Sequence, residues 1–382
     1  MKISILCPNL SSNALGRAYM LYQMLEDDFD VEIIGPASNK GIWFPLRSLK
    51  GIHIKISRTR NMLKMIDGEI VFASKPLIGS FGVGILAKIL KGKKLLVDID
   101  DWQLGFIKHE YSKLNFAQKV IRLVKDLKRF FYIDSYWNCM LCEKLLFFSD
   151  GITVSNSFLK NRFKGTTIYH VRDETLFNPE RFQKNALREE HNIPINDKII
   201  LFLGTIRSHK GIESLISAIH EIKNQHVKLM LINSCDDNYS LGLKNEAESK
   251  LGKRVILLGP ISFEETPEFL AIADLYVIPQ TESFASSGQI PAKLFDAMSM
   301  GLPIIATNIS DIPDILQECG WIVKSNSPAE IASAIIHAIE NPDEAIKKGK
   351  KARQIYLETY SLKIVKPKLT NFVFEIIQNS KS

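Results

Sequence analysis

The sequence predicts an α/β protein made of two similar halves, and three observations support this. Short apolar runs such as KIILFLG and RVILLG end on glycine. Amphipathic, helix-like stretches separate those runs, the alternation that builds parallel sheets. Between Val171 and Phe182 the stretch VRDETLFNPERF breaks the rhythm with Asp, Asn and Pro, after which it restarts. With 382 residues, 46% of them hydrophobic, the chain can form two or three domains with sizeable cores.

Taken in order, the first-half strands are expected at Lys2–Leu6, Val31–Ile34, Ile52–Ile56, Glu69–Ala73, Lys94–Asp98 and Gly151–Val154. Helical patterns lie between them, beginning with GRAYMLYQMLEDD. Second-half strands are expected at Lys198–Leu203, Lys228–Ile232, Arg254–Leu258, Leu275–Ile278, Pro303–Ala306 and Trp321–Val323. The break near residues 172–182 divides the chain into a first domain, 1–172, and a second, 173–358. Residues 359–382 form a last helical pattern that Pro367 interrupts or starts. Two such halves on one linker imply a cleft, where ligands of α/β proteins collect.

Composition narrows the function classes. No run approaches the roughly 18 apolar residues needed to span a bilayer. The opening MKISILCPN turns polar too soon for a signal peptide and reads as a first strand. Five cysteines make no disulfide framework, which points to a reducing cytoplasm. Cys139 and Cys142 form a C-x-x-C inside an apparent buried helix, with no second ligand pair for zinc. A net charge of +7 admits an anionic ligand or membrane surface without selecting either.

Three stretches suggest where an anion would sit. In FLGTIRSHKGIESL, Gly204 ends a strand, Arg207 and Lys210 follow, and a helix begins near Gly211. A helix N-terminus attracts phosphate, and Arg and Lys beside it add charge; two solvated loop cations are the plain alternative. In SSGQIPAKLFDAMSMGLPIIAT, the loop Ser286–Ser287–Gly288 leads to Pro291, suited to a first helical turn. Amides from Pro291 to Lys293 could face a second anion, and Asp296 a sugar's hydroxyl pair. An ordinary capped loop–helix–strand unit is the alternative. Near the start, Gly16 lets a backbone approach closely ahead of a helix, without a G-x-G-x-x-G fingerprint.

Together, LGRAYML, VRDETLFNP, FLGTIRSHKGIESLISAI, VILLGPISFEETPEFLAIADLYVIP and PAKLFDAMSMGLPIIAT resemble the group 1 family of nucleotide-sugar glycosyltransferases (family four) with the GT-B fold. The resemblance covers nearly the whole chain and is densest over residues 170–330. It implies two Rossmann-like domains, retention of anomeric configuration, no metal or other cofactor, and a nucleoside-diphosphate sugar as co-substrate. Carried over, Arg207 and Lys210 would contact the donor diphosphate, Ile261 would lie near the base, Asp296 would bind the ribose, and Gly16 would face the diphosphate. The terminal helix would return to the first domain. Two positions depart from the family. Thr205 stands where many members have Arg, and Gly288 stands where many have an acid eight positions before the ribose residue. Amides of Ser286–Gly288 would then serve in its place.

Transfer without a covalent intermediate depends on stabilising the leaving diphosphate, a task for preorganised cations and helix dipoles. The first domain would bind the acceptor, with Asp100 and Asp101 of LLVDIDDWQLG orienting its hydroxyl. Asp98–Ile99–Asp100 also reads as a D-x-D metal ligand, and as simple loop capping. Gly82–Ala87, GVGILA, reads as small residues packing a helix on the sheet. From residue 113 to 132, Phe116, Val120, Leu123, Val124, Leu127 and Phe131 recur at helical spacing opposite Lys119, Arg122, Lys125 and Arg129. This helix either packs inside the domain or meets an anionic inner membrane face. No nucleic-acid partner is expected. The resemblance implies a bacterial surface glycan or glycolipid as the product. The competing classes are a scaffold on the same fold and a nicotinamide oxidoreductase, which lacks its fingerprint.

Overall fold

A computed structural model describes residues 1–232 and 237–378. It divides into two compact units. The first contains Met1–His170, Ser283–Ile290 and the segment from Val365; the second contains Val171–Glu282 and Pro291–Ile364. The segment 283–290, assigned by sequence to the second domain, therefore packs with the first unit.

Among the described residues the first unit holds a seven-stranded sheet. Its strands are β1 (Lys2–Leu6), β2 (Asp30–Gly35), β3 (Ile54–Ile56), β4 (Ile70–Ser74), β5 (Lys94–Ile99), β6 (Gly151–Val154) and β7 (Thr166–Thr167). Their order is β3-β2-β1-β4-β5-β6-β7, and all pairings are parallel. Among the described residues the second unit holds six parallel strands, β8 (Lys198–Leu203), β9 (Val227–Ile232), β10 (Val255–Leu258), β11 (Leu275–Ile278), β12 (Ile304–Thr307) and β13 (Gly320–Val323). Their order is β10-β9-β8-β11-β12-β13. In each sheet the order reverses once, between β1 and β4 and between β8 and β11. Loops at the carboxyl ends of those neighbouring strands form the crevice where doubly wound sheets bind ligands.

The expected strands all form, because glycine-bounded apolar runs covered on both faces leave few other ways to bury themselves. Ile3, Ile5, Phe72, Leu96, Ile200, Leu229 and Ile305 are buried in the two cores. Only β7 escaped the sequence, since two threonines make no apolar run. Gly84 packs its helix on the sheet as expected, and a Cβ there would meet Leu95 Cδ1 at 2.5 Å.

Three local expectations need correction. Pro367 neither starts nor breaks the last helix but lies inside Leu362–Gln378. The first helix begins at Ala14, so Gly16 lies within its first turn, and the group at 3.2 Å from its would-be Cβ is the Trp43 ring. The helix Phe116–Lys128, closed by an Asn115–Gln118 capping box, does not bury its apolar side. Phe116 is 82%, Ile121 68%, Leu127 59% and Phe131 77% exposed, while Asp126 is buried. The buried Asp126 accepts from Tyr111 Oη at 2.9 Å and pairs with Arg122 Nε at 3.1 Å, which turns the polar side inward.

Candidate functional site

In the second unit, β8 ends on Gly204 at φ +152°, a backbone setting that favours glycine. Ile206 turns into the core while Arg207 remains half exposed. A short 3-10 turn, Ser208–Lys210, brings the chain to Gly211 at φ +67°, which caps the helix Ile212–Glu221. Gly211 is needed twice over, because a Cβ there would lie 1.9 Å from the Pro279 carbonyl oxygen. Thr281 N–H donates to His209 O at 3.0 Å. The loops after β8 and β11 are thus locked together at the strand-order reversal, and Thr205, Arg207 and Lys210 all lie on the first of them. The Arg207 guanidinium meets Asp237 Oδ2 at 2.5 Å.

Asp296 lies in the helix Ala292–Ser299 and is fully buried. Its carboxylate is gripped from two sides, by Arg172 Nε at 2.6 Å and Lys293 Nζ at 2.7 Å. The Arg172 guanidinium also lies over the rings of Phe177 and Phe263, at 5.8 and 5.5 Å. Tyr356 Oη both donates to Arg172 O and accepts from its N–H. Lys293 keeps 29% of its side chain exposed, so it is the accessible member of the cluster. Pro291 is the N-cap of this helix rather than a residue of its first turn. Ile261, in the loop after β10, is half buried.

Ser287 and Gly288 belong to the first unit, and their amides are not available as anion donors. Ser283 caps the short helix Phe284–Ser287 by accepting from Ser286 N–H, Ser287 N–H bonds to Ser283 O at 3.0 Å, and Gly288 N–H bonds to Ser286 O. The missing acid at Gly288 has a packing cause. Gly288 O accepts from Trp102 N–H at 3.0 Å, and any Cβ at this position would fall 2.3 Å from Trp102 Cβ.

The first unit carries its own charged cluster where β4 and β5 end. Asp98 is fully buried in a double hydrogen bond with Arg17, Nε to Oδ2 and Nη2 to Oδ1, both 2.8 Å. Asp100 Oδ1 lies 2.5 Å and Asp101 Oδ2 2.9 Å from Lys75 Nζ. Gln289 Nε2 donates to the other Asp101 oxygen at 2.8 Å. Burial pushes the Asp100 carboxyl up to about 6, with Lys75 opposing and Asp101 and Asp98 adding to the rise. Burial would raise Asp101 as well, yet Lys75 and Gln289 hold it down at about 2. Burial disfavours the Lys75 charge, and the two carboxylates outweigh that, so its affinity for its proton rises.

The D-x-D pair therefore already has Arg17 and Lys75 as its counter-ions, a donor set unlike a divalent-metal site. No group of three or more His, Cys, Asp or Glu suited to a metal occurs among the described residues. Cys139 and Cys142 are buried thiols, and burial pushes Cys142 up to about 12, which keeps it protonated. Sequence reasoning brought out Asp100 and Asp101 but missed Lys75, Arg17 and Arg172. For Lys75 a signal existed in the lysine that stops the apolar run IVFAS, directly before a proline.

Residues 183–355 match the family model for glycosyl transferases group 1. N-acetyl-alpha-D-glucosaminyl L-malate synthase of Bacillus anthracis is 22% identical over 222 residues, 56% of this chain and 55% of that protein. The match thus spans about half that relative's length. An uncharacterised glycosyltransferase of Methanocaldococcus jannaschii is 25% identical over 275 residues, 68% of each chain. Among solved structures, Anabaena Alr3699/HepE in complex with UDP and glucose superposes with a TM-score of 0.77 at 16% identity, covering 98% of this chain and 99% of that one. WaaG, a glycosyltransferase involved in lipopolysaccharide biosynthesis, superposes with a TM-score of 0.66 at 12% identity, covering 97% and 99%. The two parallel-sheet units are those of the GT-B glycosyltransferase fold.

Proposed function

Because residues 183–355 match the family model for group 1 glycosyl transferases and the fold is that of GT-B glycosyltransferases, we propose that the chain moves a sugar, with retention, from a nucleoside-diphosphate donor to a hydroxyl of a glycan or lipid-linked acceptor. The observation that carries this reading is the position of Arg207 and Lys210. They lie on the loop between β8 and the helix Ile212–Glu221, locked against the loop after β11 where the strand order reverses. Negative charge that builds on a leaving diphosphate there would meet two cations and a helix N-terminus, with no metal needed. That HepE holds UDP and glucose on a similar fold supports a nucleotide-sugar donor.

In this reading Lys293 contributes a third positive charge to the nucleotide. Asp296, whose oxygens are engaged by Lys293 and Arg172, holds those cations in place rather than gripping the ribose itself. Asp100 and Asp101 of the first unit receive the acceptor hydroxyl. The exposed apolar side of Phe116–Lys128 and the adjoining Phe131, with Lys113, Lys125 and Lys128 nearby, suits an anionic membrane surface carrying a lipid-linked acceptor. No helix of the described residues is long and apolar enough to cross a membrane.

The test is a thermal-shift and calorimetric panel of UDP, GDP, ADP and dTDP. One diphosphate is expected to raise the melting temperature of the wild type and not that of the Arg207→Ala, Lys210→Ala double variant. Equal binding by both proteins would refute the site. NMR of the product's anomeric proton checks retention. Failure to sediment with phosphatidylglycerol vesicles at low salt would refute the membrane contact.

A further inference from the structure

We propose that Lys75 is a positioning residue of the acceptor site, holding Asp100 and Asp101 in the arrangement that accepts the hydrogen bond of the incoming hydroxyl. The proposal rests on the transferase reading above. It extends that reading to a residue outside the stretch 183–355 that the family model matches.

Lys75 sits at φ +75°, a left-handed setting that is strained for a side-chain-bearing residue and persists only where its surroundings enforce it. Three hydrogen bonds do so here. Lys75 N–H donates to Asp98 O at 2.9 Å, and Lys75 O accepts from Leu77 N–H at 2.9 Å and Ser80 Oγ at 2.7 Å. Pro76 follows immediately and withdraws one more donor. This turn directs the lysine across the carboxyl ends of β4 and β5, where its ammonium reaches both aspartates.

A purely structural salt bridge would need one carboxylate. This ammonium is shared by two neighbouring carboxylates, all three side chains are at most 13% exposed, and Asp98 lies two residues away with its own arginine. Ser155 Oγ fixes Asp100 O from β6's end at 2.6 Å. Two more buried polar atoms beside these residues in the chain, Ser74 Oγ and Asn156 Nδ2, have no protein partner. Polar groups from β4, β5 and β6 thus gather at one edge of the sheet, the edge at which such sheets bind ligands.

Asp100 is faced by Lys75 from the end of β4, Asp98 and Asp101 from its own segment, Arg17 from the first helix and Cys7 from the end of β1, while His170 acts on Asp101. With Asp100 near 6, the hydrogen-bond-accepting carboxylate is present above that pH and is lost as the pH falls through it. Removing Lys75 takes away the charge that opposes the rise, so the acid limb must move to higher pH.

The experiment measures UDP release from UDP-glucose with glycerol as hydroxyl acceptor, across pH 4.5–9, for the wild type, Lys75→Met, Lys75→Arg and Asp100→Asn. UDP binding is measured in parallel by calorimetry. The wild type is expected to show an acid limb near pH 6. Lys75→Met should lose about 100-fold in rate and shift that limb upward by about one unit or more. Lys75→Arg should recover most of both, Asp100→Asn should abolish the limb, and UDP affinity should stay at the wild-type value throughout. A limb unmoved in Lys75→Met, or an Asp100→Asn protein that keeps it, overturns the role of Lys75 alone. A wild type that binds UDP but releases none at any pH overturns this proposal together with the transferase reading.

Discussion

Asp296 in the second unit and Asp100 in the first are both buried carboxylates held by a lysine, but those lysines come from very different distances along the chain. Lys293 precedes Asp296 by three residues on one helix, so helical geometry alone brings them together. Lys75 is twenty-five residues from Asp100 and reaches it only because β4 and β5 lie side by side. The first cluster is a local device set beside a motif. The second is assembled by topology and continues through Arg17, Thr153, Ser155 and Gln289. A cluster of the first kind can be read from a string of residues, whereas one of the second kind emerges only once the sheet is built.

The largest effect is expected at Arg17. Replacing it with Met strands Asp98 as an uncompensated buried charge, and the first unit should lose about 3–5 kcal/mol in urea unfolding. A loss below 1 kcal/mol would mean that the cluster is not the assembled network described here. Next in size is the Arg207→Ala, Lys210→Ala double variant, expected to lose on the order of 100-fold in turnover while its unfolding midpoint hardly moves. The paired result separates a cluster that stabilises the fold from a loop that serves chemistry.

Gly288→Ala is expected to cost about 1–3 kcal/mol, because the added methyl must displace Trp102. An unchanged midpoint would remove the packing explanation for the missing acid. The smallest effect sharpens the assignment of Asp296. Asp296→Asn should weaken UDP about tenfold, about 1.4 kcal/mol, and weaken 2′-deoxy-UDP by the same factor. A loss confined to UDP would return Asp296 to the ribose.

Much of the architecture was legible because each strand is a short apolar run between breakers. Sites on a single loop or helix, such as Arg207 with Lys210 and Lys293 with Asp296, were legible for the same local reason. Arg172 lies within the stretch VRDETLFNP but nothing nearby in the sequence signals its task, since its partner Asp296 lies more than a hundred residues on. The exposed side of Phe116–Lys128 shows a different limit. Periodicity found the two faces but not which one turns inward, because that depended on a single buried carboxylate, Asp126, and its bonds to Arg122 and Tyr111.

The first unit draws on three separate stretches of chain, the last of them starting at Val365. The strands of both sheets have therefore been synthesised before that unit has all its pieces. Phe374, whose ring centroid lies 5.2 Å from that of Phe29, and Thr370, bonded to Asp28, are made only after the strands of both sheets. The N-terminal sheet must wait, partly uncovered, while the C-terminal sheet is being made. Cutting the gene at the linker would therefore not yield two self-sufficient halves.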